Sequence, residues 1–206
     1  MPLMNSNRRF KNMQPFRLPQ DLHIHTTYSQ YDGSVVPEQS AELIARVRHA
    51  EIIGISDHFE HFADSLYDNY VHDLRALGLW VGTEVDGAGS VDFASSLHFD
   101  YYIYHCYDRD ADYRAVEKLL ATGSPVIIAH PNALDTNLNR VPGQCLVELN
   151  NRYVWRCDWM RFYGPHRQRF RFVINSDAHQ PLWLGQSVAR RAAAELGVQE
   201  VSITDL

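Results

Sequence analysis

Five short apolar runs in this chain end in histidine, aspartate or glutamate, and that recurrence constrains the fold more than any other feature. Residues 21–25 read Asp-Leu-His-Ile-His. Residues 52–56 run into Asp57 and His58, 80–83 into Glu84, 126–129 into His130, and 172–176 into Asp177 and His179. In a strand, His23 and His25 share one face while Leu22 and Ile24 share the other. Two imidazoles side by side in a barrel interior are costly unless something satisfies them, and a divalent metal does so. A hydrogen-bonded core histidine explains any one of these sites. It does not explain five, placed at the C-terminal strand ends where barrel enzymes build their sites.

The periodicity between these points agrees. Strands are expected over 21–27, 52–56, 79–85, 100–105, 125–129, 145–149 and 170–175. Amphipathic helices are expected over 37–50, 68–77, 113–121 and 187–196, the last closed by Gly197. Segment 198–206 has no assignable pattern. The 206 residues suit one domain. The expected architecture is α/β, a distorted (β/α)7 TIM-like barrel over 21–206. A flexible basic arm, 1–20, precedes it, with Arg8, Arg9, Lys11 and Arg17 and no acid.

Composition narrows the function. A net charge of −6 argues against a dedicated nucleic-acid binder. No apolar run is long enough for a transmembrane helix, so no membrane partner is expected. The charged N-terminus lacks an apolar stretch, so no secretory leader is expected. Cys106, Cys145 and Cys157 are scattered without a CxxC pair, which reads as reduced thiols in a cytoplasmic protein. No obligate protein partner is evident. Imidazole and carboxylate ligands without cysteine favour Zn, Mn or Fe over a thiolate structural zinc site.

As a set, these motifs resemble the polymerase and histidinol phosphatase (PHP) family of phosphoesterases. They are His-x-His-Thr-x-Tyr-Ser-x-x-Asp-Gly (23–33), Ser-Asp-His (56–58), Gly-Thr-Glu-Val (82–85), Ala-His-Pro (129–131) and Asn-Ser-Asp-Ala-His (175–179). They span 21 to about 197 in the family's order. The resemblance implies a seven-stranded barrel with two or three divalent metals at its C-terminal face. It implies a first metal on His23, His25, Glu84 and Asp177, with Glu84 bridging to a second that also takes His130 and a fourth-strand histidine. A third would use Asp32, His58 and His179. Two positions depart from the family pattern. Tyr31 stands where a histidine is frequent, and Asp32 follows it. The fourth-strand motif is short and lacks its serine, so His105, which ends the apolar run, is preferred over His98.

The implied chemistry is hydrolysis of a phosphomonoester, a nucleotide or small phosphorylated metabolite, by a metal-bound hydroxide at the Glu84 metals. Asp21 and Asp57, close to ligand histidines in sequence, are expected to orient them. His61 is the candidate leaving-group acid. Arg152, after the sixth strand, and Arg140 are candidate phosphate contacts, and Glu148 is expected to line the site. Residues 152–171 hold six arginines interleaved with Trp155, Trp159, Phe162 and Tyr163, which either stack on a base or pack against the barrel. Two alternatives remain: a phosphodiesterase acting on nucleic-acid ends, and a metal-binding module without catalysis. A binuclear amidohydrolase needs a strand-end lysine, and the lysines here are Lys11 and Lys118.

Overall fold

The computed structural model describes residues 17–206. Seven parallel strands follow one another in chain order around a nearly closed barrel. They are β1 (Leu18–Asp21), β2 (Ala50–Ile55), β3 (Trp80–Asp86), β4 (Tyr101–His105), β5 (Val126–Ile128), β6 (Leu146–Asn150) and β7 (Arg171–Asn175). The helices are α1 (Ala41–Val47), α2 (Phe59–Phe62), α3 (Tyr67–Ala76), α4 (Val91–Ala94), α5 (Asp110–Leu120), α6 (Trp159–Phe162) and α7 (Ser187–Leu196). This is a single α/β domain of the distorted TIM-like kind, as the strand count predicts. No helix among the described residues is long and apolar enough to cross a membrane.

Local chemistry sets the element ends. α1 starts at Ala41 rather than at Pro37 because the Ser40 hydroxyl accepts from Leu43 N–H and caps the helix there. α7 buries Ala189, Ala192, Ala193 and Leu196 against the barrel, and its small side chains allow close approach. It ends at Gly197, whose φ of 68° forms a left-handed cap.

β1 departs from expectation at both ends. Leu18 to Gln20, read as part of the arm, pair with β2 instead. The rest of the arm, 1–16, lies outside the described residues. The regular ladder stops at Asp21, and alternation breaks immediately after it. Leu22 packs in the barrel interior with Tyr101, Ile103 and Ile127, while Ile24 joins the core beneath the helices. Leu22 and Ile24 therefore do not share a face. Leu22 and His23 both turn inward, and the break lifts His23 and His25 above the apolar floor.

Side chains close the seam between β1 and β7. Asn175 Oδ1 accepts from Leu22 N–H and Asp21 Oδ1 from Ser176 N–H, each at 2.9 Å. Gln186 Nε2 donates to both Gln20 O and Ile174 O. Above them a single parallel bridge joins Ile24 to Ala178. The unassigned tail plugs the opposite end: Val201 N–H donates to Phe172 O, and buried Ile203 packs with Leu22 and Tyr101.

Tyr101 forms the floor under the polar end of the barrel. A Cβ on Gly82 would fall 2.2 Å from the Tyr101 ring, and one on Gly54 would fall 2.2 Å from its hydroxyl oxygen. Both positions require glycine for this close approach. The Tyr101 hydroxyl donates to Leu22 O at 2.7 Å, tying the floor to the strand that carries His23.

Candidate metal centre

All nine side chains singled out as ligands converge at the C-terminal end of the barrel. Glu84 stands at the centre. Its Oε1 lies 3.0 Å from His23 Nε2 and 2.6 Å from His105 Nε2, with His130 Nε2 at 3.6 Å. Its Oε2 lies 3.0 Å from His58 Nδ1 and 3.4 Å from His25 Nε2. Asp177 Oδ1 is 3.7 Å from His23 Nε2 and 3.6 Å from His25 Nε2. Asp32 Oδ2 reaches His179 Nε2 at 2.8 Å and His58 Nε2 at 3.2 Å. Three groups have the mutual spacing of a metal's ligands: His25, His58 and His179; His23, Glu84 and His130; His23, His25 and Asp177.

Two observations fit metal ions to these residues. Buried Glu84 Oε1 has no hydrogen-bond partner despite its histidine neighbours. The Nε2 atoms of His23 and His25, and those of His105 and His130, face one another at 3.2 Å. That is close to the edge of a tetrahedron, about 3.3 Å, when nitrogens sit at zinc-like distances. The donor set is imidazole and carboxylate throughout; cysteine contributes nothing.

Further groups fix the rings. Glu148 Oε1 accepts from His23 Nδ1 at 2.7 Å, leaving Nε2 to face Glu84. Glu148 is itself held by Asn175 Nδ2, Asn150 Nδ2 and His130 N–H. Asp86 Oδ1 lies 3.1 Å from His105 Nδ1 and accepts from the Tyr107 hydroxyl. Asp57 orients His25 indirectly: it accepts from Ser29 Oγ, which lies 3.3 Å from His25 Nδ1. Asp21 does not play the part expected of it. It binds Ser176 N–H and His49 Nε2 at the barrel seam and touches no ligand histidine.

The backbone is strained where ligands leave their strands. His130 and Asp177 have φ of 23° and 55°, in the left-handed region. His98 sits in the loop before β4 with its backbone bonded to Tyr67 Oη, away from the cluster. His105 occupies the fourth-strand position.

The charges are tightly balanced. Burial opposes protonation of His23, but Glu148, Asp177 and Glu84 outweigh it and hold its pKa well above the usual value. Burial likewise opposes charge on His58 and His105, yet Asp32, Glu84 and Asp86 raise them to about 10 and about 9. His25 goes the other way. Burial and the neighbouring imidazoles of His179 and His58 push it well below the usual value. Burial acts against ionised Glu148, but His23 and its other donors bring it down to about 2.

Around the mouth, a cavity of about 300 Å³ is lined by ligand residues together with Arg152, Tyr153 and Arg156. Arg152 Nη1 lies 3.3 Å from the His179 ring nitrogens and 3.7 Å from Asp177 Oδ1, facing the cluster as expected. Arg140 does not face it. Asp108 and Asp110 pair with Arg140 on the outer surface, and it stacks on Tyr113. Arg169 is also occupied, donating to Leu138 O, Asn139 O and Val141 O. His61 stands beside His58, ring centroids 4.9 Å apart. Burial and the neighbouring His58 charge lower its pKa from the usual value.

Compared with known proteins, the sequence matches no family model and no curated protein. The buried histidine, glutamate and aspartate groups can hold metal ions, and that conclusion rests on the geometry of this chain alone.

Proposed function

We propose that the chain is a metal-dependent phosphoesterase of the PHP kind, hydrolysing a phosphomonoester on two or three divalent ions (Zn, Mn or Fe). The observation that carries this reading is the position of Glu84. Its two carboxylate oxygens face different halves of one histidine cluster, and Arg152 stands at the open side. Divalent ions held there would polarise a phosphoryl group and lower the pKa of water.

The protein's own groups do the rest. Glu148 keeps the His23 Nδ1 proton and fixes its ring; Asn150 and Asn175 keep Glu148 in place. The Arg152 guanidinium supplies a fork of donors suited to phosphate oxygens. No lysine stands among the cavity-lining residues, and Lys118 pairs with Asp92 on the outer helices. This favours the phosphoesterase over a carboxylated-lysine amidohydrolase. The three unpaired cysteines suit a reducing, cytoplasmic setting.

Reconstitution with Zn or Mn, followed by assay of p-nitrophenyl phosphate and bis(p-nitrophenyl) phosphate, tests the reading. The monoester should turn over faster. Preferred turnover of the diester would move the assignment to a phosphodiesterase. Stoichiometric metal with no turnover of either would leave a non-catalytic metal-binding module.

A further inference from the structure

A second depression opens beside the metal centre, about 590 Å³ in volume, and Arg152 and Arg156 belong to both. Its walls include Trp155, Leu182 and Trp183, which are 59 %, 95 % and 36 % exposed. Exposed large apolar side chains clustered next to a polar site mark a ligand surface more often than a packing accident.

Three details specify the ligand. The Trp183 ring lies 6.0 Å from the His179 ring, so the groove begins where the cluster ends. The Trp155 indole N–H donates to Arg152 O, which fixes the ring on the segment that carries both arginines. Ser176 lines the groove, is 2 % exposed, and its hydroxyl has no hydrogen-bond partner. Arg156 stacks on Tyr153 and Trp155 and forms no ion pair with a carboxylate among the described residues. Flat aromatic walls, a hydroxyl seeking a partner and guanidinium groups leading to the metal centre suit a flat heterocycle joined to a phosphate.

We propose that this groove is the leaving-group subsite and takes a nucleoside, whose base stacks on Trp183 and Trp155 while its phosphate passes Arg152 to the cluster. This substrate class rests on the phosphoesterase reading; the groove's affinity for the base does not. Stacking on indole is tolerant of base identity, so the subsite selects nucleotides over sugar phosphates rather than one base over another.

The test compares adenosine 5′-monophosphate with ribose 5-phosphate as substrates of the Mn-loaded full chain, and follows adenosine binding by tryptophan fluorescence. We expect the nucleotide's KM to be about tenfold lower and adenosine binding to saturate. Trp183→Ala and, separately, Trp155→Ala should reduce the KM ratio below about threefold and weaken adenosine binding, whereas Trp183→Phe should retain both. Equal KM values without adenosine binding would overturn the subsite and leave the phosphoesterase standing. Saturable adenosine binding with neither ester hydrolysed would support the groove and overturn the phosphoesterase. Absence of both binding and hydrolysis would overturn both.

Discussion

Glu148 Oε1 lies 2.7 Å from His23 Nδ1, and both side chains are fully buried. A carboxylate in that position decides which imidazole nitrogen carries the proton and which faces Glu84. Glu148→Gln preserves the shape but removes the charge that holds His23. We expect metal affinity to fall about 10–100-fold while the fold is retained, measured by competition with a chromophoric chelator. Unchanged affinity would mean that His23 needs no such partner.

The raised histidine pKa values make metal loading a proton-releasing event. His58 and His105, held up to about 10 and about 9 with burial opposing their carboxylate neighbours, are protonated at pH 7 in chelator-treated protein. A metal needs their lone pairs, so binding expels the protons, and apparent affinity rises with pH until about 10, where His58 too is deprotonated. Titration calorimetry in two buffers of different ionisation enthalpy reads the release directly. Equal heats in the two buffers would contradict the charge balance described above.

Tyr101 and Gly82 form one packing unit. A Cβ at residue 82 would meet Tyr101 Cζ at 2.2 Å, beneath the histidine cluster. Gly82→Ala should cost about 1–3 kcal/mol in urea unfolding, the usual range for overpacking. Combined with Tyr101→Leu, it should cost less than the sum of the single changes, because the clash has gone. Additive costs would show that the two residues do not compete for the same space.

Arg152 and Arg140 separate cleanly. Arg152→Ala should raise KM for a phosphomonoester about tenfold with metal content unchanged, about the loss expected for one charge-assisted contact. Arg140→Ala should leave KM alone, since its partners are Asp108, Asp110 and Tyr113. The reverse outcome would contradict the placement of the phosphate at Arg152.

Much of this was legible in the residues because β3 to β7 are short apolar runs with a polar residue at the end, a pattern that survives without an alignment. β1 was harder. Pro19 and Gln20 look like tail, yet they belong to the strand, and Gln20 is buried through its bonds to Val201 O and Ile203 N–H at the barrel's far end. The inward turn of both Leu22 and His23 breaks the two-residue period, so adjacency misled. Asp21 is two residues from His23 and serves the seam, whereas Glu148 lies 125 positions away and holds the ring. A signal for Glu148 was present: with Leu146 and Asn150 it forms a strictly alternating inward row on β6. Arg140 was misplaced because Asp108 and Asp110, about 30 residues earlier, reach it only through the fold.

The central claim is that the strand-end histidines and acids form a metal centre, and metal content per chain tests it most directly. Elemental analysis should be made on protein purified without affinity-tag metal, reloaded with Zn or Mn and desalted, with His23→Ala prepared in parallel. We expect about two to three equivalents in the native chain and loss of metal, with the fold retained, in His23→Ala. Content near zero in the native chain after reloading would contradict it and leave the nine residues as a buried ionic network.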